Sequence, residues 1–164
     1  MQNDLNSISD WLYSLGLNFH PDKCNTMTYT NKRSPIQNQY TLNGENIQQV
    51  ETFKDLGVIF QPNLSFKTHI NDISMRAYKR LGMLIRYCKY IQDIEAILLL
   101  YKSTVRSIME YGAVLWSPKY KNLQNTIEKI QAKFIRYLFK KENGFYPKYP
   151  NYIDYKTLYL KYLF

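Results

Sequence analysis

The sequence predicts an α+β fold: an N-terminal helix and a small antiparallel β-hairpin or sheet, followed by a mainly α-helical bundle. Three observations predict it. Strand-like alternation and an Asn43-Gly44 dipeptide fall before Pro62, apolar stripes at helical spacing fall after it, and the charge changes sign at the same place. Residues 1–60 carry four basic and six acidic side chains, a net of −2, whereas residues 61–164 carry eighteen and seven, a net of +11. The expected domains are therefore 1–62 and 63–164.

Leu5, Ile8, Leu12 and Leu15 recur at helical spacing and Gly16 follows as a stop, which predicts an amphipathic helix over 3–15. Pro21 and Asp22 make a turn. Residues 24–30 alternate, Met27 and Tyr29 against Thr26, Thr28 and Thr30, as a half-buried strand does. A polar loop with Pro35 fills 31–38. Tyr40-Thr41-Leu42 then leads into Asn43-Gly44, the strongest two-residue hairpin signal, with 47–50 as the return. Phe53, Leu56, Val58, Ile59 and Phe60 read as a second strand passage, bent at Gly57 and ended by Pro62 and Asn63.

Beyond Pro62 the period changes. Phe66, Ile70, Ile73, Ala77, Leu81, Leu84 and Cys88 form one apolar stripe. Asp93 is placed to cap a second helix whose inner face is Ile94, Ile97, Leu98, Tyr101, Val105 and Ile108. Gly112 and Pro118 bound an aromatic segment over 111–116. Leu123, Ile127, Ile130, Phe134 and Leu138 mark a third helix. Gly144, Pro147 and Pro150 break it, and 152–164 is expected to be a short terminal helix.

Composition excludes several classes. A chain 45% hydrophobic and 16% aromatic is not a disordered tail, despite its charge. Cys24 and Cys88 form no CxxC pair, and His20 and His69 lack partners at ligand spacing, so no disulfide framework, zinc site or other metal site is expected. The two histidines read as turn or surface residues. No run reaches the roughly 18 apolar residues of a membrane span and no signal peptide opens the chain. It is expected to be soluble and intracellular, cytoplasmic or nuclear, with no membrane partner.

The basic excess is organised. Lys129, Lys133, Arg136 and Lys140 stand at i, i+4, i+7 and i+11, one narrow helical sector beside the apolar stripe. Arg76, Lys79, Arg86 and Lys89 take a broader sector of the first long helix. Such rows suit a groove that follows a nucleic-acid backbone, since each Lys or Arg near a phosphate releases counterions without reading sequence. The plainer reading is a solvated helix face, which usually carries both signs, and only Glu128 adjoins the row of the third helix.

The order of these segments resembles the reverse transcriptases of LINE-type, non-LTR retrotransposons, the jockey-like elements in particular. Asp4-Leu5 with Trp11, Gly16-Leu17-Asn18 and Lys23-Cys24 are similar to the stretch that follows the catalytic aspartates. Leu42-Asn43-Gly44 and Phe53-Lys54-Asp55-Leu56-Gly57-Val58 resemble the primer-grip hairpin. Leu64, Phe66 and His69-Ile70 resemble the opening of the thumb, and Tyr111-Gly112, Trp116-Ser117-Pro118 and Ile127-Glu128-Lys129-Ile130-Gln131 its later segments. The resemblance implies that 1–62 is the distal part of a polymerase palm and 63–164 a thumb.

It also implies roles. Lys23 matches the lysine that protonates departing pyrophosphate, a general acid; otherwise it is an exposed lysine after a turn. Phe53, Lys54, Leu56 and Gly57 match the primer grip, which holds the primer terminus in line for attack; their plainer reading is a buried strand pair, and for Phe53 and Leu56 the two readings are compatible. Asp55 stands where the family pattern carries an aromatic. RNA template and DNA primer are the implied partners. Magnesium is implied for the intact enzyme only, because the chain has no Asp-Asp doublet to hold it. With its first residues matching sequence beyond that doublet, and its last inside a Tyr-rich apolar run, the chain is expected to be an inactive fragment without fingers or catalytic palm, from a degraded or partly recorded element. Two alternatives stand beside this reading: a stand-alone basic helical module for nucleic-acid or protein contact, and a translated remnant with no role.

Overall fold

The computed structural model describes residues 1–34, 36, 38–147 and 155–163. It is mainly helical with small sheets, and divides into two compact units, Met1–Phe66 and Lys67–Phe164.

In the first unit, helix α1 (Gln2–Ser14) docks through polar contacts rather than a buried stripe. The Gln2 side chain accepts from the Thr41 N–H at 3.0 Å and donates to the Thr41 carbonyl at 2.8 Å, standing in for a strand neighbour. Leu5 and Leu12 are half-buried, while Ile8 and Leu15, expected on the inner face, are exposed. After a 3-10 turn at Pro21–Lys23, the expected strand over 24–30 shrinks to β1 (Asn25–Thr26). Alternation permits a strand, but the partner sets its length, and here the partner is the two-residue β4 (Gln48–Gln49), paired in parallel. Antiparallel pairing alone was expected, and this pair departs from it.

The Asn43-Gly44 hairpin is present, with β2 (Thr41–Leu42) against β3 (Glu45–Asn46), so the return begins two residues earlier than 47–50. Asn43 and Gly44 both have positive φ, 52° and 83°, the geometry of a type I′ turn. The passage expected over 53–60 is instead a second hairpin, β5 (Phe53–Asp55) against β6 (Val58–Phe60). Its turn repeats the first, with Leu56 at φ 44° and Gly57 at φ 85°. Glycine adopts that conformation freely; a leucine there is strained.

The second unit begins with α2 (Lys67–Tyr87), whose stripe of Ile70, Ile73, Ala77, Leu81 and Leu84 is buried as its spacing predicts. Phe66 precedes it with a φ of 51° and is not helical. His69 is buried against Trp116, ring centroids 5.3 Å apart, not on the surface as expected. Asp93 caps α3 (Ile94–Tyr101), its carboxylate accepting from the Glu95 and Ala96 N–H groups at 2.9 and 3.2 Å.

Helix α3 runs into a π-helical turn, Lys102–Arg106, and then α4 (Ser107–Glu110). Ile97, Tyr101, Val105 and Met109 are all buried at steps of four, a spacing that drifts about 40° per step around a regular α-helix. The wider turn absorbs the drift, so Met109 enters the core beside the expected Ile108, which is partly buried against it. A short α5 (Ala113–Trp116) buries Trp116, whose Nε1–H donates to the Tyr111 carbonyl at 2.8 Å.

Helix α6 (Lys121–Asn143) is the longest and ends on left-handed Gly144. It buries the expected Leu123, Ile130, Phe134 and Leu138, and also Ile135, Tyr137 and Phe139. Leu158 and Tyr162 of α7 (Tyr155–Leu163) complete the core. Pro35, Pro150, residues 152–154 and Phe164 lie outside the described residues.

Candidate nucleic-acid interface

Helices α2 and α6 pack together, and two grooves run along their seam. One, of about 430 Å³, is lined by Arg86, Lys89, Lys140 and Lys141 with Gln92. The other, of about 450 Å³, is lined by Lys129, Lys133 and Arg136 with Tyr78 and Ala132. Ile85, Tyr137 and Tyr146 line both, so the two adjoin. Six of the eight cations expected to act together therefore do stand together. Arg76 and Lys79 line neither groove, and Arg76 pairs with Asp72 at 3.0 Å on its own helix.

The seam is cationic throughout. Among the described residues no carboxylate lines either groove. Lys133 stands 5.2 Å from the centre of the Tyr78 ring, and Lys140 4.6 Å from that of Tyr146. Lys141, which its position off the four-residue row hid in the sequence, donates to the Lys89 and Ile91 carbonyls at 2.6 and 2.8 Å. Its ammonium satisfies carbonyls just past the end of α2 while adding positive charge to the groove. Tyr137 donates its hydroxyl hydrogen bond to the Cys88 carbonyl at 3.1 Å. Burial, with lesser contributions from Cys88 and Tyr146, pushes its hydroxyl up to about 12. Tyr78 and Tyr146 could not be placed from sequence, because the seam joins helices some fifty residues apart.

In the first unit, Lys23 and Phe53 line a common open depression of about 760 Å³ with Asp55 and mostly apolar walls such as Leu5, Phe19, Leu42 and Phe60. Lys54, Leu56 and Gly57 lie on the hairpin that carries Phe53, outside that depression. Leu56 is 83% exposed and Phe53 36%, so neither forms a buried strand pair. No group of three or more His, Cys, Asp or Glu among the described residues could hold a metal ion. No helix among them is long and apolar enough to cross a membrane.

Comparison with known proteins agrees with the resemblance read from the sequence. The chain is 25% identical over 140 residues to the RNA-directed DNA polymerase from mobile element jockey of Drosophila melanogaster. It is 26% identical over 139 residues to the protein described as "Probable RNA-directed DNA polymerase from transposon BS" of the same fly, and 22% identical over 138 to the jockey polymerase of Drosophila funebris. Each match covers 83% of this chain and 15% of the relative's length. The similarity to jockey-like reverse transcriptases is thus shown. No family model and no solved structure matches.

Proposed function

We propose that this chain is the primer- and template-holding part of a jockey-like reverse transcriptase, distal palm over 1–62 and thumb over 63–164. The observation that carries the reading is the α2/α6 seam, where Arg86, Lys89, Lys129, Lys133, Arg136 and Lys140 line adjoining grooves without a carboxylate. Spaced along two packed helices, they suit successive phosphates and give affinity without sequence preference. Similarity to RNA-directed DNA polymerases supplies the class of nucleic acid, an RNA template paired with a DNA primer.

Within this reading the β5/β6 hairpin, through Phe53, Lys54, Leu56 and Gly57, positions the primer terminus. The Leu56-Gly57 turn forms its tip, and the task is one of alignment. Lys23 is then the acid for the leaving pyrophosphate once the rest of the polymerase supplies the reacting groups. Magnesium belongs to the intact enzyme in this reading; among the described residues no group of three or more His, Cys, Asp or Glu could hold a metal ion.

The test is a pair of measurements on the isolated chain. A primer–template should bind with steep salt dependence, more tightly than a single strand, and primer extension with magnesium and nucleotides should be undetectable. Clear extension would refute the inactivity. Equal affinity for single strand and primer–template would favour the stand-alone module instead.

A further inference from the structure

The seam holds more than cations. Tyr78 and Tyr146, 37% and 48% exposed, line it, and each has a lysine ammonium over its ring. A surface that only follows duplex phosphates needs no exposed aromatic rings, because paired bases are stacked on one another and offer no free face. An unpaired base does offer one, and aromatic side chains along a basic groove are how proteins hold unpaired strands without reading sequence.

Resting on the reading above, we propose that the α2/α6 seam takes a single-stranded stretch of nucleic acid beside the duplex, with bases stacked on Tyr78 and Tyr146. A stacking base takes the ring face over which the Lys133 or Lys140 ammonium now lies, and the displaced ammonium stays within reach of the phosphates on either side of that base. Tyr137 is no stacking partner: it is buried and its hydroxyl is committed to Cys88. Ile85, shared by both grooves, gives the seam an apolar floor between the two tyrosines.

Fluorescence anisotropy with three labelled probes tests this: a blunt duplex, the same duplex with a short single-stranded overhang, and the overhang strand alone. The overhang should tighten binding about tenfold over the blunt duplex, the range expected of base–aromatic stacking. Tyr78→Leu and Tyr146→Leu should remove most of that gain with an unchanged salt slope, while Tyr78→Phe and Tyr146→Phe keep it. Equal affinity for blunt and overhanging duplex, or a gain that survives both leucine variants, would overturn the inference and leave duplex binding standing. A strand that binds alone as tightly as the overhanging duplex would support the stacking and count against the primer–template reading. Failure to bind any probe overturns both.

Discussion

Tyr137 of α6 reaches across to the end of α2 and donates its hydroxyl hydrogen bond to the carbonyl oxygen of Cys88, 3.1 Å away. The bond ties the two helices together where the basic seam runs, because Tyr137 lines both grooves. Tyr137→Phe removes only the hydroxyl and leaves the buried Cys88 carbonyl with the Ile91 N–H, 3.2 Å away, as its remaining donor. It should cost about 1 kcal/mol of stability, read from urea unfolding, and weaken nucleic-acid binding modestly. Unchanged stability would mean that apolar packing and the Lys141 hydrogen bonds hold the two helices without it.

The same group sets an alkaline limit. Burial raises the Tyr137 hydroxyl from 10.0 to about 12, and burial likewise raises Tyr101, Tyr162 and the Cys88 thiol. Each therefore loses its proton more readily in the unfolded chain than in the folded one. Stability should be full below the ordinary values of these groups, 9.0 for the thiol and 10.0 for the tyrosines. It should be lost as pH rises towards about 12. A urea midpoint that stays level across this range would contradict the prediction.

The core is fastened by an aromatic pair. Tyr101 and Phe134 lie parallel with ring centroids 3.7 Å apart, joining α3 to α6, and both are fully buried. Phe134→Ala should destabilise the chain by about 3–5 kcal/mol, the usual result of emptying a buried aromatic site. Thermal unfolding followed by circular dichroism measures it. A loss below about 1 kcal/mol would show a core that repacks around the gap.

Helix α7 is held partly by charge. Glu142 accepts from Lys161 at 2.7 Å and from the Tyr162 hydroxyl, and these two bonds, Lys161 first, lower its carboxyl below the usual 4.5. Their contribution is present above that value and lost as pH falls through the lowered one. Protection of the α7 amides, taken relative to their intrinsic exchange rate at each pH, should therefore fall on acidification before that of α6 does, and Glu142→Gln should lower it at neutral pH. Identical exchange in variant and parent would remove the role given to Glu142.

The helices were legible because their evidence is local. Ile70, Ile73, Ala77, Leu81 and Leu84 repeat on one face of α2, and Asp93 marks the start of α3, as spacing and capping chemistry require. Asn43-Gly44 announced its turn for the same reason. Alternation reads the second hairpin as one strand passage because Leu56 rarely adopts positive φ, although Gly57 marks the bend. Met109 was missed because a π turn has no local signature. In the site, the row on α6 was readable from its period, whereas Lys141 of the same helix stands off that period and Tyr78 and Tyr146 join the row only through packing. Arg76 was read into the interface by its spacing, although Asp72 four residues earlier already pairs with it.

The most direct test of the α2/α6 seam is the salt dependence of primer–template binding, compared between the parent chain and single variants. Lys129→Gln, Lys133→Gln and Arg136→Gln should each weaken binding and reduce the slope of log affinity against log salt by about 1, as loss of one phosphate contact does. Arg76→Gln, outside the grooves and paired with Asp72, should leave the slope as it is. Parent binding that is insensitive to salt, or a slope that falls equally for all four variants, would contradict the assignment of the seam.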